Sequence, residues 1–116
     1  MKAIYRVSGD SIEFEASADI PAGSLIIKNS LVGITKMFTK EGDACVLSTR
    51  GVFSGADKGA GAMAFGQIVY ADTDGKIYGV SAAGRIPCGY AVESADTADT
   101  TCTVFLMPSV QPAEEA

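Results

Sequence analysis

Turn chemistry is what most limits how this chain can fold. Glycine, proline, Asn-Ser and Asp-Gly breaks interrupt it so often that only short extended segments fit between them. None of those segments carries the 3.6-residue period of an amphipathic helix. Residues Ser11-Ile12-Glu13-Phe14-Glu15-Ala16 alternate strictly, which puts Ile12, Phe14 and Ala16 on one face and Ser11, Glu13 and Glu15 on the other. That is the pattern of a half-exposed antiparallel strand. Ser8-Gly9-Asp10 supplies the chemistry of a reversal ahead of it, so Ala3 to Val7 forms either a partner strand in a first hairpin or an extended arm.

Further along, Pro21-Ala22-Gly23 makes a turn, because proline presets φ and glycine accepts a positive φ. Ser24 to Lys28 and Leu31 to Lys36 then read as a second hairpin joined by Asn29-Ser30, with Gly33 marking a bulge or a close backbone approach. Lys40-Glu41-Gly42-Asp43 is another break, followed by a strand from Ala44 to Thr49 and the short run Val52-Phe53. Residues 55–66 are small and glycine-rich, and read as a mobile loop or a short helical turn. Gln67 to Ala71 and Lys76 to Val80 flank Asp72-Thr73-Asp74-Gly75, whose closing Asp-Gly signals a hairpin. Ile86 to Glu93 and Thr101 to Met107 follow, the latter with apolar groups on both faces from Val104 onward, as expected deep in a sheet or in a subunit interface.

About ten short strands with little helix predict an all-β fold, a small barrel or β-clip-like (β-tulip-like) domain. Residues 1–108 form this single domain, with 1–8 as a candidate N-terminal arm, and residues 109–116 read as a polar flexible tail.

Charge and composition exclude several functions. The net charge of −5 opposes the phosphate attraction behind nucleic-acid binding, and the nine Lys and Arg residues are scattered rather than clustered. The N-terminus lacks the apolar run of a signal peptide and no 18-residue apolar span occurs, which predicts a chain made in the cytoplasm and not held in a membrane. The chain has no histidine, which removes Ser-His-Asp and Cys-His nucleophilic mechanisms, and it has no phosphate-cradling GxxxxGK[ST] loop. Three cysteines, Cys45, Cys88 and Cys102, with no CxxC pair fit reduced, buried thiols better than a disulfide framework or a zinc site. A hydrophobic fraction of 47% is high for a small monomer and predicts self-association.

Remaining candidates for chemistry have plainer readings. Asp72 and Asp74 sit in a loop without the further acids of a calcium shell, so they read as turn residues. Glu13 and Glu15 share the solvated face of a strand rather than forming a catalytic carboxylate pair. Tyr5, Tyr70, Tyr78 and Tyr90 lie on predicted strands, where cross-strand packing is favoured over a ligand-stacking platform. Cys88 has only Arg85, three residues earlier, as a neighbouring cation. No catalytic, metal or cofactor-binding residue is nominated, and no cofactor is expected.

The serial order of motifs carries a resemblance. It runs from Ala18-Asp19-Ile20-Pro21-Ala22-Gly23-Ser24-Leu25-Ile26-Ile27 through Glu41-Gly42-Asp43 and Gly51-Val52-Phe53 to Gly66-Gln67-Ile68-Val69-Tyr70-Ala71-Asp72. Cys88-Gly89-Tyr90-Ala91-Val92 and Val104-Phe105-Leu106 complete it. The chain resembles a family of small phage and prophage capsid-decoration proteins, also called capsid cement, once catalogued as a domain of unknown function and sometimes labelled recombinase. The likeness spans residues 2–107. It implies a non-enzymatic virion protein on the outer face of an icosahedral head. Homotrimers at three-fold and quasi-three-fold positions would clamp the major capsid protein after the shell expands. The segment Lys2, Ala3, Ile4, Tyr5, Arg6 and Val7 is the candidate capsid contact, by adding a strand to an exposed edge of the capsid protein, and an internal strand is the alternative. Phe105 and Met107 are the candidate trimer contacts. Two other readings stay open: a small β-clip or barrel module binding a carbohydrate-type ligand, and a minor tail or fibre component.

Overall fold

A computed structural model describes residues 10–108 of the chain. Among them are nine strands and no helix: β1 (Ser11–Glu15), β2 (Leu25–Lys28), β3 (Leu31–Thr35), β4 (Ala44–Ser48), β5 (Gly51–Asp57), β6 (Ile68–Ala71), β7 (Ile77–Tyr78), β8 (Ile86–Ala91) and β9 (Thr101–Leu106). They form two antiparallel sheets, a four-stranded one in the order β1-β4-β3-β2 and a five-stranded one in the order β5-β9-β8-β6-β7. The all-β expectation holds. The expected strand Ala3 to Val7 and the expected tail 109–116 lie outside the described residues.

The β2–β3 hairpin forms as its sequence predicts. Asn29 adopts φ 57°, a left-handed conformation that asparagine tolerates better than other side-chain-bearing residues. Gly33 marks a close approach: a Cβ there would stand 3.0 Å from the Cβ of Leu47 and 3.2 Å from the carbonyl oxygen of Ser48. Its absence lets β3 press onto β4. The β6–β7 hairpin also forms, closed by the Gly75 N–H donating to Asp72 O at 3.0 Å with Gly75 at φ 80°.

Alternation gives the four-stranded sheet two apolar faces. Val32 and Ile34, with Leu25 and Ile27 beside them, pack against Val69, Ile77, Ile86, Val104 and Leu106 of the other sheet to make the main core. On the opposite face, the register pairs Ile12 with Leu47 and Phe14 with Cys45, and Leu47, Cys45 and Ala16 are buried there as a second small core. The sheet curls so that Lys28 on one outer strand reaches Phe14 on the other, its ammonium 4.5 Å from the ring centre.

Two expectations need correction. Residues 55–66 are neither a free loop nor a helical turn: β5 continues to Asp57, Lys58 bridges Ile77, and Met63 exchanges two backbone hydrogen bonds with Ala95. Their small side chains are what permits this. A Cβ on Gly59 would overlap the ring of Tyr78, so only glycine lets the backbone lie against that aromatic face. The expected strand Lys76 to Val80 shrinks to Ile77–Tyr78, because side chains capture the next carbonyls. Gln67 Nε2 donates to Gly79 O at 2.6 Å and Arg85 Nη1 to Val80 O at 3.0 Å.

Candidate functional site

The charged residues with candidate chemistry are engaged in holding turns. Asp72 accepts from Arg85 Nε at 2.9 Å and from the Thr73 N–H at 2.6 Å, and Asp74 accepts from the Lys76 N–H and the Tyr78 hydroxyl. The Arg85 hydrogen bond holds the Asp72 carboxyl below its ordinary value of 3.8. Arg85 also lies 3.6 Å from the centre of the Tyr78 ring, so it faces away from any role at Cys88. Burial pushes the Cys88 thiol up to about 12, and its S–H donates to Val69 O. Desolvation also raises Cys102. Such thiols are small core residues rather than nucleophiles. Glu13 and Glu15 are exposed on β1, as alternation predicts.

The tyrosines do not gather into one platform. Tyr70 pairs directly with Tyr78, both half-buried, while Tyr90 stands exposed in another row of the sheet. Tyr5 lies outside the described residues, as do the candidate contacts Lys2, Ala3, Ile4, Arg6 and Val7.

A different arrangement emerges from the register of the five-stranded sheet. Val52 pairs with Phe105, Phe105 with Tyr90, and Tyr90 with Ile68, so these four side chains stand in one line across β5, β9, β8 and β6. Directly paired residues share a face. Their chain neighbours Val104, Ala91 and Val69 point to the core, which puts the line on the outer face. Val52 is 64% exposed, Ile68 48% and Tyr90 42%, and Phe105 is half-buried between them. Three inter-strand steps of about 4.8 Å make an apolar row about 14 Å long. Met107, two residues after Phe105, lies on the same face beside a shallow recess of about 220 Å³ that Ile68, Pro87, Tyr90 and Pro108 also line. Arg50 lies over an interior member of the row, its guanidinium 5.7 Å from the centre of the Phe105 ring.

From sequence, Phe105 and Met107 are candidate trimer contacts and Val52, Tyr90 and Ile68 are not named for that role; the register brings all but Met107 into one line, and Met107 lies beside it. Each is one apolar residue in a strand with apolar neighbours, and only the cross-strand register aligns them. Exposed apolar rows of this kind are characteristic of contact surfaces.

Fold and surface together define a small all-β domain with an exposed apolar row across one sheet. The chain matches the model of a family described as phage cement protein over residues 7–106, and it belongs to that family. Membership assigns it a structural role in stabilising a phage capsid. Neither a curated protein nor a solved structure matches the chain.

Proposed function

We propose that this protein is a non-enzymatic decoration subunit that binds the outer surface of an icosahedral phage or prophage head and stabilises the mature shell. It does so as homotrimers at three-fold and quasi-three-fold positions, gripping the major capsid protein. Family membership over residues 7–106 supports the capsid, and the exposed row through Phe105 supports association between subunits. Phe105 and Met107 are the trimer contacts in this reading, extended by Val52, Tyr90 and Ile68 along the same face. Lys2 to Val7 is the capsid contact, adding a strand to an open edge of the shell protein so that backbone hydrogen bonds supply affinity.

The stabilisation is mass action. A subunit that binds the expanded shell and not its precursor lowers the free energy of the expanded form, and a trimer multiplies that effect through three tethered contacts. The test is reconstitution on purified expanded heads lacking the subunit. Near-stoichiometric binding with a raised shell-disruption temperature is expected, and binding is expected to vanish on deletion of residues 2–7 while the subunit stays folded. A subunit that leaves heads unbound would overturn the capsid reading, and one whose fold is lost on deletion would overturn the arm.

A further inference from the structure

Asn29 and Ser30 form the two-residue connection of the β2–β3 hairpin, and both are exposed. The Thr35 N–H donates to Ser24 O at 3.0 Å, which makes 24 and 35 a pair that exchanges backbone hydrogen bonds. Such pairs recur at every second residue of an antiparallel ladder, so by register Lys28 and Leu31 exchange as well and close a β-turn over 28–31. Asn29 has φ 57° and is the only non-glycine residue with a positive φ among the described residues, so Ser30 has a negative one. A positive φ followed by a negative φ is the type II′ turn, whose first central residue has ψ of about −120°. Glycine is usual at that position, because this ψ swings the next backbone nitrogen alongside Cβ.

For asparagine the same rotation brings a nucleophile to an electrophile. With the Ser30 nitrogen beside Asn29 Cβ, turning χ1 carries the carboxamide carbon Cγ against it and closes a five-membered ring. Among the described residues the Asn29 side chain and the Ser30 N–H have no hydrogen-bond partner, so neither is held in another geometry. Asp74-Gly75, a pair open to the same chemistry by sequence, is the contrast. Asp74 accepts from the Lys76 N–H and the Tyr78 hydroxyl, and the Gly75 N–H donates to Asp72 O, so both its carboxyl group and the attacking nitrogen are engaged.

We propose that Asn29-Ser30 is a self-modification site whose co-reactant is water. The Ser30 amide gives its proton to hydroxide as its nitrogen bonds Asn29 Cγ, and the carboxamide nitrogen takes a proton from water and leaves as ammonia. Water then opens the succinimide. Cleavage at Cγ leaves aspartate, cleavage at the backbone carbonyl leaves isoaspartate, and nothing is oxidised or reduced. Either product adds a negative charge beside Lys28. Isoaspartate also adds one carbon to the backbone path, which a two-residue turn cannot absorb without parting Lys28 from Leu31. β2 is an outer strand of its sheet and carries the Lys28 contact over the Phe14 ring at 4.5 Å, so the altered turn loosens that strand and that contact. Loss of ammonia runs one way, and the site therefore records the age of each copy whether or not the capsid reading holds.

Incubation of the folded full-length protein in mildly alkaline buffer tests this, read by peptide mapping and by enzymatic methylation of isoaspartate. Asn29 is the only asparagine in the chain, so its conversion is assigned without ambiguity. It should convert at least about tenfold faster in the folded protein than in a synthetic peptide of residues 24–35, since the turn pre-orients the reacting atoms. Isoaspartate at Asp74 should stay at background. After modification the Lys28 and Leu31 amides should exchange faster with solvent, while those of β9 stay unchanged. Conversion of Asn29 no faster than in the peptide overturns the proposal, and so does isoaspartate arising equally at Asp74. Unchanged exchange at Lys28 and Leu31 overturns the loosening of β2.

Discussion

Gly89 in β8 lies hard against Phe105 in β9: a Cβ built on Gly89 overlaps the Phe105 carbonyl oxygen and comes within 3.2 Å of the Leu106 Cα. The cause is a bulge. Val69 pairs with Gly89 and Tyr70 with Pro87, which leaves Cys88 as an extra residue and forces the β8 backbone toward β9 at φ 157°. The same irregularity turns Tyr90 outward next to Phe105, so a packing constraint in the sheet sets the geometry of the exposed row.

Gly89→Ala is therefore expected to destabilise the protein by about 3 kcal/mol or more, since backbone rather than a movable side chain blocks the added carbon. Gly42→Ala, at φ 90° with nothing within 4 Å of the added carbon, serves as the comparison. It should cost only about 1 kcal/mol of left-handed strain. Urea denaturation of both variants checks the difference.

Replacing Val52 and Tyr90 together by serine removes exposed apolar surface without opening the core. Stability of the subunit fold should change by about 0.5 kcal/mol or less per site, while self-association weakens by about tenfold or more. Light scattering across a concentration series reads the second effect. Unchanged association would remove the outer row from the subunit contact.

The Asp72–Arg85 pair makes a pH-dependent contribution. Arg85 lowers the folded carboxyl below 3.8, so its stabilisation is fully present above that ordinary value and is lost as pH falls through the lower folded value. Arg85→Gln should be less stable than the parent at pH 7. The gap should narrow progressively below pH 4, as measured by urea midpoints across that range.

Thiol chemistry provides a further check. Cys45, Cys88 and Cys102 are all buried and unbridged, with Cys88 pushed up to about 12. Ellman's reagent at pH 8 should label none of them in the folded protein and all three in denaturant. Rapid labelling of Cys88 in the native state would contradict its burial.

Lys58 is buried, and its ammonium donates to Gly59 O at 3.0 Å and Asp99 O at 3.2 Å, tying the end of β5 to the loop before β9. Lys58→Met strips both carbonyls of that donor and should cost about 1–3 kcal/mol. Faster amide exchange in residues 96–100 would accompany it.

Much of the local structure was readable in the sequence because it depends on near neighbours. Alternation in Ser11 to Ala16 fixed the faces of β1, and Asn29-Ser30 and Asp74-Gly75 marked the hairpins. Gly33 was legible as a close approach, though its partner Leu47 was not. The glycine-rich stretch 55–66 misled because small residues also suit a backbone docked against Tyr78, and composition alone does not separate docking from mobility.

Sequence by itself determined the strand-forming segments, their turns and the acidic, histidine-free chemistry, since each follows from residues a few positions apart. Tertiary structure alone decided what those strands present to the outside. The row Val52–Phe105–Tyr90–Ile68 comes from register, and the approach of Lys28 to Phe14 comes from the curl of the other sheet. Those quantities depend on pairings between segments tens of residues apart, where a shift of one residue turns every side chain to the opposite face.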